Sequence, residues 1–344
     1  MNFPKVSIII LNWNGWKDTI ECLESLYRID YPNYDVIVID NGSIDESVEM
    51  IKKYCLGEIK VKSKFFKYNA SNKPIKVFEI LEENLKHDFL QFYESYEVNK
   101  RIILIRNKKN YGFAKGNNIG IKFALEVLNP EFVLLLNNDT VVSEDFLNEL
   151  VKFAKEGAEI VGPKIYYYDY NGRSDVISFI GEDMIPWKGI GFRYGCEEVD
   201  KGQWDKPLEI DRVEGSCMLI KKDVFKRVGF FDEVYFFFYE ETDFCIKAKK
   251  TGFKIKYCPT AKVWHKVSKS IGKESFMKIY FLTKNRVIFI KKNFPSYLWK
   301  HFLYIIFYEF WFRGREFILY KRRPKLFLYY LKGLIDGYKA IHKL

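Results

Sequence analysis

Residues 133–142, VLLLNNDTVV, run apolar to Leu136, break at Asn137-Asn138-Asp139 and then resume. Three oxygen-bearing side chains at the end of a strand-like run suit a divalent cation. Mg²⁺ and Mn²⁺ take oxygen ligands and commonly use one or two carboxylates, with waters and substrate phosphates completing the shell. The same triplet also fits an ordinary turn, and alone it leaves both readings open. A second group, YEETD at 239–243, sets Glu240, Glu241 and Asp243 within five positions after an aromatic run. Carboxylates crowded against rings and one another have raised pKa values, which suits a general base. They fit equally a solvated helix N-terminus, where the macrodipole favours negative charge. His265 is one of four histidines, and Lys266, Ser268, Lys269 and Ser270 beside it are groups that suit a pyrophosphate. A lone histidine is also a common structural residue. The glycines of NYGFAKGNNIG (110–120) allow close backbone approach and then open a helix with free N–H groups. Their spacing is neither GxGxxG nor GxxxxGK[ST], which argues against a dehydrogenase or an ATPase.

The elements that must position these groups follow a strand–helix rhythm. KVSIIIL (5–11) is a β-branched run, and residues 18–28 repeat apolar positions at helical spacing, with Asp18 as the expected N-cap. DVIVIDNGSIDES (35–47) repeats the pattern, ending its run at Asp40, Asn41, Gly42 and Ser43 before a helix near Ser47. A strand at 101–107, the glycine turn, a helix to about Leu128 and a strand at 132–136 extend the series. This order predicts an α/β fold with a parallel sheet covered by helices on both faces. Such sheets bind ligands at the carboxyl ends of their strands, and Asn12, Asp40, Asn107 and Asn138 all follow such ends. Residues about 55–100 read as an insertion with helical periodicity and no assignable chemistry. Beyond 150 the pattern becomes short strands and loops, and FKIKYCPTAKVWHKVSKS predicts a strand, a turn and His265.

The chain has 344 residues, 48 % hydrophobic and 18 % aromatic, enough for one large or two modest cores and too apolar for disorder. The opening MNFPKVSIIILNWNG lacks a cleavage pattern and reads as a first strand, which predicts a cytoplasmic protein. Six cysteines without a CxxC pair read as reduced core thiols. The net charge is +11, and residues 291–344 hold 12 Lys and Arg against 3 Asp and Glu, or +9. There YLWKHFLYIIFYEFWF (297–312) precedes the basic cluster KRRPK (321–325). The apolar stretch is short for a span of about 20 residues. It fits an interfacial helix beside anionic headgroups, or a helix packed on the preceding domain or a dimer partner. Nucleic acid is disfavoured, because the charge accompanies an apolar helix instead of covering a broad face.

In order and spacing the chain resembles the family 2 glycosyltransferases of GT-A fold, especially the rhamnosyltransferase-like branch. The resemblance is carried by VSIIILNWNG (6–15), CLESL (22–26), VIVIDNGSIDES (36–47), NYGFAKGNNIGI (110–121), VLLLNNDT (133–140), VEGSCMLIKKDVFKRVGFFDE (213–233), YEETDFCIKAKKTGFKI (239–255) and CPTAKVWH (258–265). It implies a GT-A domain over 1–290, with the insertion, while the composition of 291–344 gives a C-terminal amphipathic helical region of basic and aromatic character. It also implies nucleotide-sugar contacts at Leu11, Trp13, Asp40, Asn41, Gly112, Asn118, Asn138 and Gly215, with the Trp13 ring on the base. Asp139 and His265 are implied as ligands of Mg²⁺ or Mn²⁺. Glu241 stands at the position of the catalytic base, and Asp243 is the reserve candidate. Two departures matter: asparagines replace the leading acids of the family's DxD motif, which implies weaker metal binding, and Glu replaces Asp at the base.

The activity so implied is inverting transfer of a hexose or deoxyhexose from a nucleotide-diphosphate sugar to a glycan or lipid-linked acceptor. The enzyme would be cytoplasmic, or peripheral on the inner face of the membrane. The competing expectation is a nucleotide-sugar-binding or membrane-docked scaffold that has lost catalysis.

Overall fold

The computed structural model describes residues 3–84, 89–267 and 275–342, so Ser268, Lys269 and Ser270 lie outside the described residues. In chain order, β1 (Val6–Asn12), α1 (Trp16–Leu26), β2 (Tyr34–Asp40), α2 (Ser47–Leu56), β3 (Lys76–Leu81), α3 (Leu90–Glu94), β4 (Arg101–Arg106), α4 (Gly112–Phe123) and β5 (Phe132–Asn137) form the first half. There follow β6 (Thr140–Val142), α5 (Phe146–Lys155), β7 (Ile160–Tyr167), β8 (Ile177–Phe179), the β9 (Glu182–Ile185) and β10 (Ile190–Arg193) hairpin, and β11 (Leu208–Glu209). Next come β12 (Cys217–Lys221), α6 (Lys222–Val228), α7 (Glu240–Lys250) and β13 (Ile255–His265). The remaining helices are α8 (Phe276–Asn293), α9 (Leu298–Tyr304), α10 (Phe310–Gly314) and α11 (Pro324–Ile341).

The main sheet runs β11-β13-β7-β12-β5-β1-β2-β4-β3, with β6 on β13 and β8 on β7. β1 pairs parallel with β2 and β5, and β4 parallel with β2 and β3, while β12 enters antiparallel between β5 and β7. Both faces are covered, which is why the strands read as continuous apolar runs. Val6, Ile8 and Ile10 pack towards α1, α2 and α5, whereas Ile9 packs towards α4, α6 and α7.

Four local expectations change. α1 begins at Trp16 with Gly15 as N-cap, so Asp18 lies in the first turn. Most of the glycine segment is helix, since α4 starts at Gly112. Gly112 has φ +79°, and a Cβ there would stand 2.3 Å from the Phe236 carbonyl oxygen, so only glycine fits. The 55–100 segment supplies the edge strand β3, and the expected turn at Cys258–Ala261 is an irregularity within one strand. The cysteines are free, and all but Cys196 are buried.

A third core joins α8 and α11 to the aromatic segment before α7, through Tyr235, Tyr239, Phe289, Phe317 and Tyr330 among others. Residues 298–320 form one continuous helix in which α9 and α10 alternate with π-helical turns at Ile305–Glu309 and Arg315–Tyr320. Its buried side is tied to α8 by the Arg286–Glu309 pair at 2.7 Å.

Candidate active site

Strand register assembles the site at the carboxyl edge of the sheet. Asn12 lies opposite Asp40, and Leu11 opposite Asn137, so the ends of β1, β2 and β5 stand side by side. Because β12 is antiparallel to β5, the segment leading into it starts at this same edge, where the Asn137 N–H donates to the Ser216 carbonyl at 2.9 Å. β13 runs parallel to β7 and delivers His265 there as well.

Asp139 and His265 meet directly: the imidazole Nε2 lies 3.1 Å from Asp139 Oδ1, and both residues are buried. Burial alone would push the Asp139 carboxyl up, but the charge and hydrogen bond of His265 outweigh it and hold the pKa below the ordinary value. Burial likewise opposes the His265 charge, yet Asp139, with help from Glu214, raises its pKa to about 9. Glu214 Oε2 lies 3.9 Å from His265 Nδ1, a buried nitrogen without a hydrogen-bond partner.

Gly215 links this pair to the acids of α7, since a Cβ on Gly215 would stand 3.6 Å from Glu241 Cγ and 3.5 Å from the Phe113 ring. Glu241 Oε1 accepts from Arg212 Nη1 at 2.8 Å, while its buried Oε2 has no partner. Arg212 also donates through Nε to Glu182 at 3.1 Å, so one guanidinium serves two carboxylates. Burial raises the Glu241 pKa, partly offset by the Arg212 charge. Burial and then the neighbouring Glu241 raise Glu240 well above its ordinary value. The acids do open a helix, but one whose first turn is buried rather than solvated. Phe238 and Tyr239, just before it, both have left-handed φ angles, 68° and 76°. Asn285 of α8 donates to the carbonyls of Phe237 and Phe238, at 2.9 Å each, and so holds this turn from behind.

The other expected residues divide into two groups. Trp13 is 46 % exposed beside the strand ends, and Asp40 accepts from Asn12 Nδ2 at 3.0 Å and from the Ser43 N–H at 3.2 Å. Asn138 reaches the start of α1, where its Nδ2 donates to Thr19 Oγ1 at 3.0 Å. Leu11 packs on Gly116 of α4. Asn41 bonds Asn107, Asn110 and the backbone at Tyr111 and Gly112, so it braces the glycine segment. Asn118 exchanges two hydrogen bonds with the backbone of Phe231. Asp243 is not brought to the cluster. It is fully buried towards α8, accepting from Asn293 Nδ2 at 2.6 Å and Tyr235 at 3.3 Å and pairing with Lys247. Lys266 is engaged by Asp18 and Glu21 of α1.

Sequence reasoning missed Arg212, Glu214 and Glu182. The signal for Glu214 was its place three positions before an apolar run, across Gly215 and Ser216, within the segment VEGSCMLIKK.

Among the described residues, no three His, Cys, Asp or Glu side chains converge to hold a metal by themselves. Asp139 and His265 nevertheless fit as two ligands. Their 3.1 Å separation matches the about 3.0 Å between adjacent ligands of a small octahedral divalent ion, which takes its remaining shell from phosphate and water.

The family described as glycosyltransferase like family 2 matches residues 4–288. The low-salt glycan biosynthesis hexosyltransferase Agl10 of Haloferax volcanii is 30 % identical over 286 residues, covering 82 % of this chain and 74 % of its own. The dTDP-rhamnosyl transferase RfbF of Shigella flexneri is 24 % identical, covering 56 % of this chain and 64 % of its own. Among solved structures, the mannosyltransferase PcManGT of Pyrobaculum calidifontis, in complex with GDP-Man and Mn²⁺, superposes with a TM-score of 0.56 at 14 % identity, covering 98 % of this chain and 88 % of that one. The architecture is the GT-A fold.

Proposed function

The chain belongs to glycosyltransferase family 2, and on that premise we propose that it is an inverting, metal-dependent enzyme passing a sugar from a nucleoside diphosphate to a hydroxyl of a glycan or lipid-linked acceptor. One observation carries the reading: the partnerless, buried Oε2 of Glu241 and the Asp139–His265 pair share one sheet edge, joined through Glu214 and Gly215.

Trp13 offers its exposed ring to the base, and Asp40 its carboxylate to the base or ribose, beside Leu11 and Asn138. Asn41, Gly112 and Asn118 act by bracing α4 and the loop that faces the donor. Held by Asp139 and His265, Mg²⁺ or Mn²⁺ would supply Lewis-acid stabilisation of the departing diphosphate. Glu241 Oε2 takes the acceptor hydroxyl proton as that oxygen bonds to the anomeric carbon. The bond to the diphosphate breaks on the opposite face, and the leaving group keeps the electron pair. Arg212 holds Glu241 by its other oxygen and so fixes the direction of Oε2. Asp243 serves the fold, anchoring α7 to α8.

The working domain spans 1–290, and 291–344 carries the contact with an anionic membrane surface on the cytoplasmic side. No helix among the described residues is long and apolar enough to cross a membrane. The test is a panel of activated sugars with lipid-linked and soluble glycan acceptors, with Mn²⁺ or with EDTA. Metal-dependent product of inverted anomeric configuration supports the proposal. Donor binding without turnover across the panel would make the chain a nucleotide-sugar-binding scaffold instead.

A further inference from the structure

The helix over 298–320 has two faces that differ more sharply than an ordinary amphipathic helix. Its buried positions, His301, Ile305, Glu309 and Phe317, recur at multiples of four. In a pure α-helix a row at four-residue spacing drifts around the axis. The π turns at 305–309 and 315–320 each hold more residues per turn and correct that drift, so the row stays against α8 and α11. The opposite row is held straight in the same way. Trp299, Phe307, Trp311 and Leu319 on it are between 66 and 75 % exposed, and Leu303 is 41 % exposed. Large apolar side chains thus line the outer side of a helix about 30 Å long, interrupted once by the exposed Arg315 between Trp311 and Leu319. An apolar surface of this extent marks an interaction site.

Charge selects the occupant. The row runs into the exposed basic cluster at 321–325, within a segment of net charge +9. Pairing two copies through this face would bring two such segments together, whereas an anionic bilayer is complementary to both the apolar row and the cations. Trp, Tyr and Phe mixed with Lys and Arg is the composition of the headgroup level of a membrane. Lys300, Glu309, Arg313, Arg315 and Glu316 within the helix exclude a spanning orientation and leave one in the plane.

We propose that the helix over 298–320 lies in the plane of an anionic bilayer, with Trp299, Leu303, Phe307, Trp311 and Leu319 in the acyl boundary and the 321–325 cluster on the headgroups. The face is rigidly joined to the acids of α7: Arg286 pairs with Glu309, and Asn285, one residue earlier on α8, bonds the backbone before Glu240. Docking therefore fixes the Glu241 turn relative to the lipid surface, where a lipid-linked acceptor presents its hydroxyl. That last consequence rests on the glycosyl-transfer reading, whereas the docking itself does not.

Flotation of the full chain with phosphatidylcholine vesicles, with and without about one-third phosphatidylglycerol, tests this without any donor sugar. The chain should float with the anionic vesicles and at least about twenty-five-fold less with the neutral ones. Trp299→Ser/Phe307→Ser/Trp311→Ser should lose at least tenfold in partition on both. Arg322→Ser/Lys325→Ser should lose about twenty-five-fold on the anionic vesicles alone, at about fivefold per cation. Both variants change exposed side chains, so unchanged thermal midpoints confirm folding. Absence of wild-type flotation, or equal flotation of the triple variant, would overturn the proposal. A concentration-dependent dimer abolished by the triple variant, without vesicle binding, would assign the face to a second copy. Vesicle binding by a protein that transfers no sugar would refute the catalytic reading and leave the docking intact.

Discussion

Replacing Glu241 by Gln removes the proposed proton acceptor while preserving almost everything else around it. The amide oxygen of Gln can still accept the 2.8 Å hydrogen bond from Arg212 Nη1, and the guanidinium keeps its bonds to Glu182. Glu182 remains to balance the buried Arg212 charge, so the fold should lose little stability. What disappears is the partnerless Oε2, the position from which a proton can be taken. A positioned general base contributes about 10²–10⁴-fold, or about 3–5 kcal/mol of barrier. The variant should therefore lose that factor in kcat while retaining the affinity for nucleotide-sugar. Glu240→Gln is the control: burial and Glu241 push the Glu240 pKa well above its ordinary value, and Glu240 is not the proposed proton acceptor, so a neutral amide there should leave the rate within a few-fold. Single-turnover transfer, with calorimetry of donor binding, separates the two. If Glu241→Gln turned over like wild type while Glu240→Gln did not, the base would be the wrong residue of the pair.

Trp13→Ala should weaken donor binding by about 1–3 kcal/mol, the scale of stacking on a base, and calorimetry with the nucleoside diphosphate alone would read it. Asn285→Ala leaves the Phe237 and Phe238 carbonyls unpaired behind a turn with two left-handed residues. It should cost about 1–3 kcal/mol in denaturant unfolding and lower kcat more than it changes KM. Glu309→Ala strands the buried Arg286 charge and should destabilise by about 3–5 kcal/mol. Joint replacement by Met at 286 and Leu at 309 should recover most of that loss in thermal unfolding.

The strands bearing the edge of the site were legible because β1, β2, β4 and β5 are covered on both faces and end in Asn or Asp, or, for β4, one residue before Asn107. β3 was hidden, since as an edge strand it carries Lys76 and Glu79 and buries only Phe78 and Ile80. Asp139, His265 and Glu241 could be singled out by their place at element ends. Arg212, Glu214 and Glu182 could not: they come from short segments without periodicity, and only the antiparallel entry of β12 and the bridge between Glu182 and Arg212 bring them to the edge. The polar character of Asn41, Asn118 and Asp243 was visible, but their partners lie 8 to 113 residues away in the chain. In the C-terminal helix the amphipathic character was legible. Its straight four-residue row was not, because it depends on π turns that an α-helical period does not anticipate.

The central claim is that Asp139 and His265 hold a divalent cation against the donor diphosphate. Anomalous diffraction at the manganese edge, from crystals soaked with Mn²⁺ and a nucleoside diphosphate, tests it most directly. The account predicts a peak within coordination distance of Asp139 Oδ and the His265 imidazole, bridged to the diphosphate and absent in Asp139→Ala. A bound diphosphate with no manganese between these two side chains, or a peak at another carboxylate, would contradict it.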